Sequence, residues 1–105
     1  MIAWINLFVA GILEIIWAIS LKYSNGLTNL IPSIVTIVGM IASFYFLALA
    51  VKTLPIGTSY AIWTGIGAIG TVILGMILFH EDISIIRIVF LIMVLGGIIG
   101  LKVTA

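Results

Sequence analysis

The chain has no cysteine and very few charged residues. Only 7% of its 105 residues are charged, whereas soluble domains usually carry about 25%. Without cysteine, neither a disulfide nor a cysteine-ligated metal site can form. The net charge of +1 provides no basic surface for nucleic acid, so no nucleic-acid partner is predicted. Because 65% of the residues are hydrophobic, we expect the outer surface of the protein to face membrane lipid.

Four apolar windows are each long enough to cross a bilayer. A transmembrane helix needs about 20 largely apolar residues, and the windows that satisfy this are 2–21, 30–51, 56–79 and 85–101. They show no period-two alternation, which excludes a transmembrane β-barrel. The sequence therefore predicts an all-α integral membrane protein, with residues 1–105 forming a single four-helix transmembrane domain. No basic segment precedes the first window, so we expect it to be retained rather than cleaved as a signal peptide.

The polar joints between the windows contain turn and capping residues. Asn25 and Gly26 are typical of a helix end followed by a turn. Asp82 or Ser84 is available to cap the fourth helix. His80 is alone in its joint with no second ligand nearby, so we predict no metal site and no cofactor.

Glu14 is the one carboxylate that lies inside an apolar window. An ionised side chain at that depth costs about 2.5 kcal/mol or more, so such residues are usually functional. On a helix, Glu14 shares its face with Gly11, Trp17 and Ala18, which leaves room for a ligand beside an indole ring. Two alternatives remain open: a protonated Glu14 that only bonds to another helix, and a Trp17 that faces lipid.

Three further side chains are expected at a depth in the membrane that would allow them to share one site with Glu14. Ser43, Tyr60 and Trp63 can each donate a hydrogen bond to a carboxylate, and aromatic rings can also face a cation. The aromatic belt at the membrane surface is the alternative interpretation of Tyr60, which lies close to that surface, and to a lesser degree of the deeper Trp63. We predict that the residues that bind substrate and protons are Glu14, Trp17, Ser43, Tyr60 and Trp63.

Two glycine clusters lie within the predicted spans. Residues 65–70 match the dinucleotide-binding pattern G-x-G-x-x-G, but no strand precedes them, so that interpretation is rejected. We instead predict that Gly65 and Gly67 form a conformational hinge. Small residues in membrane helices allow close packing, and we assign Gly96, Gly97 and Gly100 to packing between protomers.

The positive charges at the span ends are balanced across the membrane. Lys52 and Lys102 lie on the side that holds both termini, and Lys22 and Arg87 lie on the other. Two interpretations remain open. In one, the amino-terminal charge and the lipid set a weak preference for one orientation; in the other, the chain inserts in both orientations. Many transporters are built from two inverted halves around a site at the midplane. We therefore predict an antiparallel, dual-topology homodimer.

These residues resemble the small multidrug resistance family over the whole chain. Glu14 in the first span, Ser43 in the second and the run 60–63 in the third stand where that family's binding residues stand. The resemblance implies an antiparallel dimer, alternating access and proton antiport through paired glutamates. It also implies that Glu14 binds the substrate, and that the side chains that order the site are Trp17, Ser43, Tyr60 and Trp63.

Within that family, the chain resembles the guanidinium exporter branch. Trp17, Met40 and Lys102 stand where multidrug members typically have glycine, tyrosine and asparagine. Lys102 is therefore a marker of the subtype, as is the run 54–68. Ser59 departs from the pattern, because alanine is frequent at that position.

The sequence thus predicts a proton-coupled exporter of guanidinium and small guanidinyl cations in the bacterial inner membrane. Two facing carboxylates can hold either protons or one cation, but not both at once. This competition would couple proton entry to cation export. One alternative is a broader exporter of quaternary ammonium ions. Another is a non-transporting subunit, such as one half of a heterodimer. An enzyme is not expected, because the chain has no nucleophile–base pair or metal-binding set.

Overall fold

The computed structural model describes residues 1–105, and most of them are helical. Four α-helices follow in chain order: α1 (Ile2–Tyr23), α2 (Leu30–Ala50), α3 (Ile56–Leu78) and α4 (Ile85–Thr104). There are no strands, and all four helices are long and apolar enough to cross a membrane. The prediction of an all-α chain with four membrane-length helices is confirmed.

The ends of the helices follow local backbone chemistry. After α1, the chain turns through Asn25 and Gly26, whose φ angles of 50° and 72° lie in the left-handed region that these two residue types tolerate. At the start of α4, the Ser84 hydroxyl accepts a hydrogen bond from the backbone N–H of Arg87 at 3.2 Å. Ser84 is therefore the cap of α4, and Asp82 lies in the preceding joint.

Helix α1 packs along both α2 and α3. Glycines allow these close approaches: a Cβ atom added at Gly11 would lie 2.6 Å from Ile66 of α3, and one added at Gly39 would lie 2.9 Å from Trp17. Substituting either glycine would therefore separate the helices. The buried hydrophobic core lies among these three helices and contains Leu7, Ala10, Ala50, Ile62 and Trp63.

Helix α4 lies at the margin of the molecule. It packs against α3 and has no buried residue. A Cβ atom added at Gly96, Gly97 or Gly100 would meet no other atom of the chain within 4 Å. The glycine face of α4 is therefore open in a single protomer, and its predicted role in packing between protomers stays a prediction.

The four helices form a slab rather than a closed bundle. The principal extents of the molecule are 40 × 34 × 17 Å. Helix α4 packs against α3 alone and does not return to α1 or α2 to close a bundle. A single chain therefore does not enclose a path shielded from lipid on all sides.

Candidate functional site

The Glu14 carboxylate lies at the contact between α1 and α3. Glu14 is near the middle of α1, and a Cβ atom added at Gly67 of α3 would overlap its carboxylate. Its Oε1 atom is buried and has no hydrogen-bond partner in the chain. Leaving a buried polar atom unpaired costs about 1–3 kcal/mol, and more for a charged group. No donor in the chain therefore forms a hydrogen bond with this carboxylate oxygen.

Ser43 and Trp63 bond to each other rather than to Glu14. The Ser43 hydroxyl donates to the backbone carbonyl of Ala10 at 2.7 Å and accepts a hydrogen bond from the Trp63 indole Nε1 at 3.0 Å. Both side chains are buried. This hydrogen-bonded link joins α1, α2 and α3 one turn before Glu14, so both predicted donors are already engaged.

Aromatic rings surround the indole of Trp63. Its ring centroid lies 5.7 Å from that of Tyr60 and 5.8 Å from that of Phe44. Trp63 is only 7% exposed, which excludes a lipid-facing position in an aromatic belt. Tyr60 is 57% exposed at the edge of the same group, so both interpretations of that residue remain open.

Trp17 provides an unused donor on the same helix as Glu14. Its Cβ lies against Gly39 of α2, and its indole Nε1 is buried without a hydrogen-bond partner. Because residues three apart share a helix face, Trp17 and Glu14 lie side by side. Helix α1 therefore carries one buried acceptor and one buried donor that no other group of the chain satisfies.

Comparisons with known proteins cover almost the whole chain. A model of the Small Multidrug Resistance protein family matches residues 2–94. The chain belongs to this family. A guanidinium exporter from Yersinia pseudotuberculosis is 58% identical over 103 residues, covering 98% of this chain and 99% of the relative. A guanidinium exporter from Proteus vulgaris is 57% identical, covering 98% of this chain and 99% of the relative. Another, from Salmonella typhimurium, is 52% identical and covers 98% of each chain.

The family resemblance drawn from the sequence is therefore confirmed, including its similarity to guanidinium exporters. Together with four membrane-length helices, membership of the small multidrug resistance family identifies the chain as a multi-pass membrane protein.

In this member of the family, the two glycines predicted as a hinge lie at helix contacts. A Cβ atom added at Gly65 would lie 2.7 Å from Ile98 of α4, and Gly67 faces Glu14. Helix α3 continues without interruption through both residues. Hinge motion stays a prediction, and the structure assigns both glycines to close contact with neighbouring helices.

Sequence reasoning missed two features of the site. It did not identify Gly67 as the residue that makes space for the Glu14 carboxylate, although the clustering of glycines in one span was a usable signal. It also missed the carbonyl of Ala10 as the partner of Ser43. No pattern of side chains in the sequence identifies a backbone carbonyl as an acceptor, so the contact between Ser43 and Ala10 is visible only in the structure.

Proposed function

We propose that this protein is a proton-coupled exporter of guanidinium and small guanidinyl cations in the bacterial inner membrane. The observation that carries the proposal is the buried, unpaired Oε1 of Glu14 within a membrane-length helix. Guanidinium is planar, with N–H donors that match the two oxygens of a carboxylate. Relatives named guanidinium exporters, 58%, 57% and 52% identical to this chain, support this choice of substrate.

Trp17 is suited to form one wall of the substrate site. Its indole lies beside Glu14 on the same helix face, where a flat cation held by the carboxylate would meet the ring. The indole Nε1 is buried and has no partner in the chain, so it is available to an acceptor. A bulky substituent would have to pass this ring, so the site favours small planar ions.

In the proposed mechanism, cation export is coupled to proton entry because two Glu14 carboxylates share one cavity. In an antiparallel homodimer, the second protomer would supply its own Glu14 at about the same depth. The pair can hold protons or one organic cation, and each displaces the other. If only the loaded forms change which side of the membrane the cavity opens to, protons entering the cell drive the cation out.

Two observations support a dimeric transporter. The slab is only 17 Å thick, so a second copy would be needed to cover the site. The glycine face of α4, formed by Gly96, Gly97 and Gly100, is open and allows another helix to approach closely. Both features agree with the balanced positive charges, which permit insertion in either orientation.

Transport by the purified protein in liposomes tests the proposal. A pH gradient should drive uptake of labelled guanidinium, and Glu14→Gln should reduce this uptake to the level of empty liposomes because it removes the exchangeable charge. Glu81→Gln is the matched control, since Glu81 is exposed in the joint before α4, and should transport normally.

Undiminished transport by Glu14→Gln would refute the mechanism. Transport of tetra-alkylammonium ions without transport of guanidinium would assign the protein to the broader group of cation exporters. The absence of any cation movement in the unaltered protein would favour a non-transporting subunit.

A further inference from the structure

A second cavity lies among α1, α3 and α4, and its lining contains none of the predicted substrate-binding residues. An apolar groove of about 370 Å³ runs between α1, α3 and α4, and 9 of its 11 lining residues are hydrophobic. Its walls include Phe8 and Ile15 of α1, Ile66 of α3 and Leu95 of α4. Neither Glu14 nor any other predicted substrate-binding residue lines the groove.

The groove has the length of one lipid leaflet. It extends from Trp4, near the start of α1, to Ile15 in the middle of that helix. At 1.5 Å per residue this distance is about 16 Å. The hydrocarbon core of a bilayer is about 30 Å thick, so the groove reaches from one surface to roughly the midplane.

A positive charge lies at the surface end of the groove. Lys102 lines the groove, and its Nζ lies 5.0 Å from the centroid of the Trp4 ring. Two of the three acidic side chains, Glu81 and Asp82, lie at the opposite end of the helices, and the third is Glu14 in the middle of α1. No acidic side chain therefore competes with an anion for the Lys102 ammonium at the membrane surface.

We propose that this groove binds an anionic phospholipid, with an acyl chain between α1 and α4 and the phosphate on Lys102. Basic positions between transmembrane helices attract anionic headgroups, and tryptophan is favoured at the same level of the membrane. The charge at the mouth favours a lipid over a second copy of the apolar helix α4. The bound lipid would fill the gap between α1 and α4, because α4 packs closely against α3 alone.

Native mass spectrometry of the purified full chain tests the site. Phosphatidylglycerol and phosphatidylcholine with identical acyl chains are the probes, so that only the headgroup differs. We expect the unaltered protein to prefer phosphatidylglycerol. Lys102→Gln should reduce this preference about fivefold, which is the effect of one lysine near an anionic surface, whereas Lys102→Arg should retain it.

Two matched controls separate the groove from general surface charge and from any bulky substitution. Lys52→Gln removes a lysine from the same side of the membrane, but Lys52 does not line the groove, so the preference should persist. Leu95→Trp should fill the groove and weaken the binding of both lipids. Ile99→Trp, on an exposed part of α4 outside the groove, should not.

Three results would overturn the proposal. One is equal binding of the two lipids by the unaltered protein, and another is a preference that survives Lys102→Gln or falls equally with Lys52→Gln. The third is binding that Leu95→Trp leaves unchanged. If a second copy covers the groove instead, neither lipid will bind the dimer above background, which also overturns the proposal.

Discussion

Both paired and unpaired polar atoms are buried on either side of Glu14 along α1, between Ala10 and Trp17. Glu14 Oε1 and Trp17 Nε1 have no hydrogen-bond partner, whereas Ser43 both donates and accepts. A hydroxyl that uses its single donor on a backbone carbonyl cannot also donate to the carboxylate. The Ser43–Trp63 link therefore stabilises the helices, and the two unpaired atoms are left available for a ligand.

Serine substitutions should separate structural hydroxyls from dispensable ones. Ser43→Ala removes two hydrogen bonds and leaves the buried Trp63 Nε1 unpaired, so we expect it to lower the free energy of unfolding by about 1–3 kcal/mol. Ser59→Ala removes a buried hydroxyl that has no partner, so stability should be unchanged or slightly higher. Unfolding in detergent micelles, followed by circular dichroism, measures both, and equal losses would contradict the hydrogen-bond assignment.

The residue that the sequence revealed most directly is Glu14, because an isolated carboxylate in an apolar span has few structural explanations. The partners of Ser43 and Trp63 could not be predicted in the same way. Their bond depends on how α2 and α3 are rotated against each other, and many rotations bury equally apolar faces.

At the scale of the helices, glycine contacts determine how closely the elements approach. The first residue of each helix coincides with the first residue of its apolar window, because hydropathy and joint chemistry are local properties. The contact of Gly67 with Glu14 and that of Gly65 with Ile98 are not local. They arise only when α3 lies between α1 and α4, an arrangement that hydropathy does not specify.

A glycine substitution in α3 tests the position of the carboxylate. Gly67→Ala places a methyl group where the Glu14 carboxylate lies, so the carboxylate must move. We expect the affinity for guanidinium to fall about tenfold or more, which corresponds to about 1.4 kcal/mol. Titration calorimetry on the purified protein measures this.

Gly57→Ala is the control for that substitution, because a Cβ atom at this position of α3 would meet nothing within 4 Å. Its affinity for guanidinium should match that of the unaltered protein. If Gly67→Ala also binds normally, Glu14 does not hold the substrate at this contact.

At the scale of the whole molecule, shape and charge are compatible with the proposed pair of chains in opposite orientations. The slab leaves the glycine face of α4 open, and the lysine and arginine residues are divided evenly between the two sides. Neither feature requires a particular orientation in the membrane. Both are expected of a chain that inserts in two directions.

Cysteine labelling in intact cells measures the orientation, and the absence of native cysteine makes single-cysteine variants unambiguous. Thr53→Cys and Asn25→Cys place the label in joints on opposite sides of the membrane. For dual topology, an impermeant maleimide should label about half of the chains in each variant. Full labelling of one variant and none of the other would show a single orientation.

The peripheral position of α4 has a mechanical consequence. If two chains are anchored to each other through this helix, the anchor is attached to α1, α2 and α3 along α3 alone. The hydrogen bonds of Ser43 link those three helices to one another. The three linked helices are then free to rock about a stationary pair of α4 helices, with the joint that contains His80, whose φ of 54° lies in the left-handed region, as the pivot.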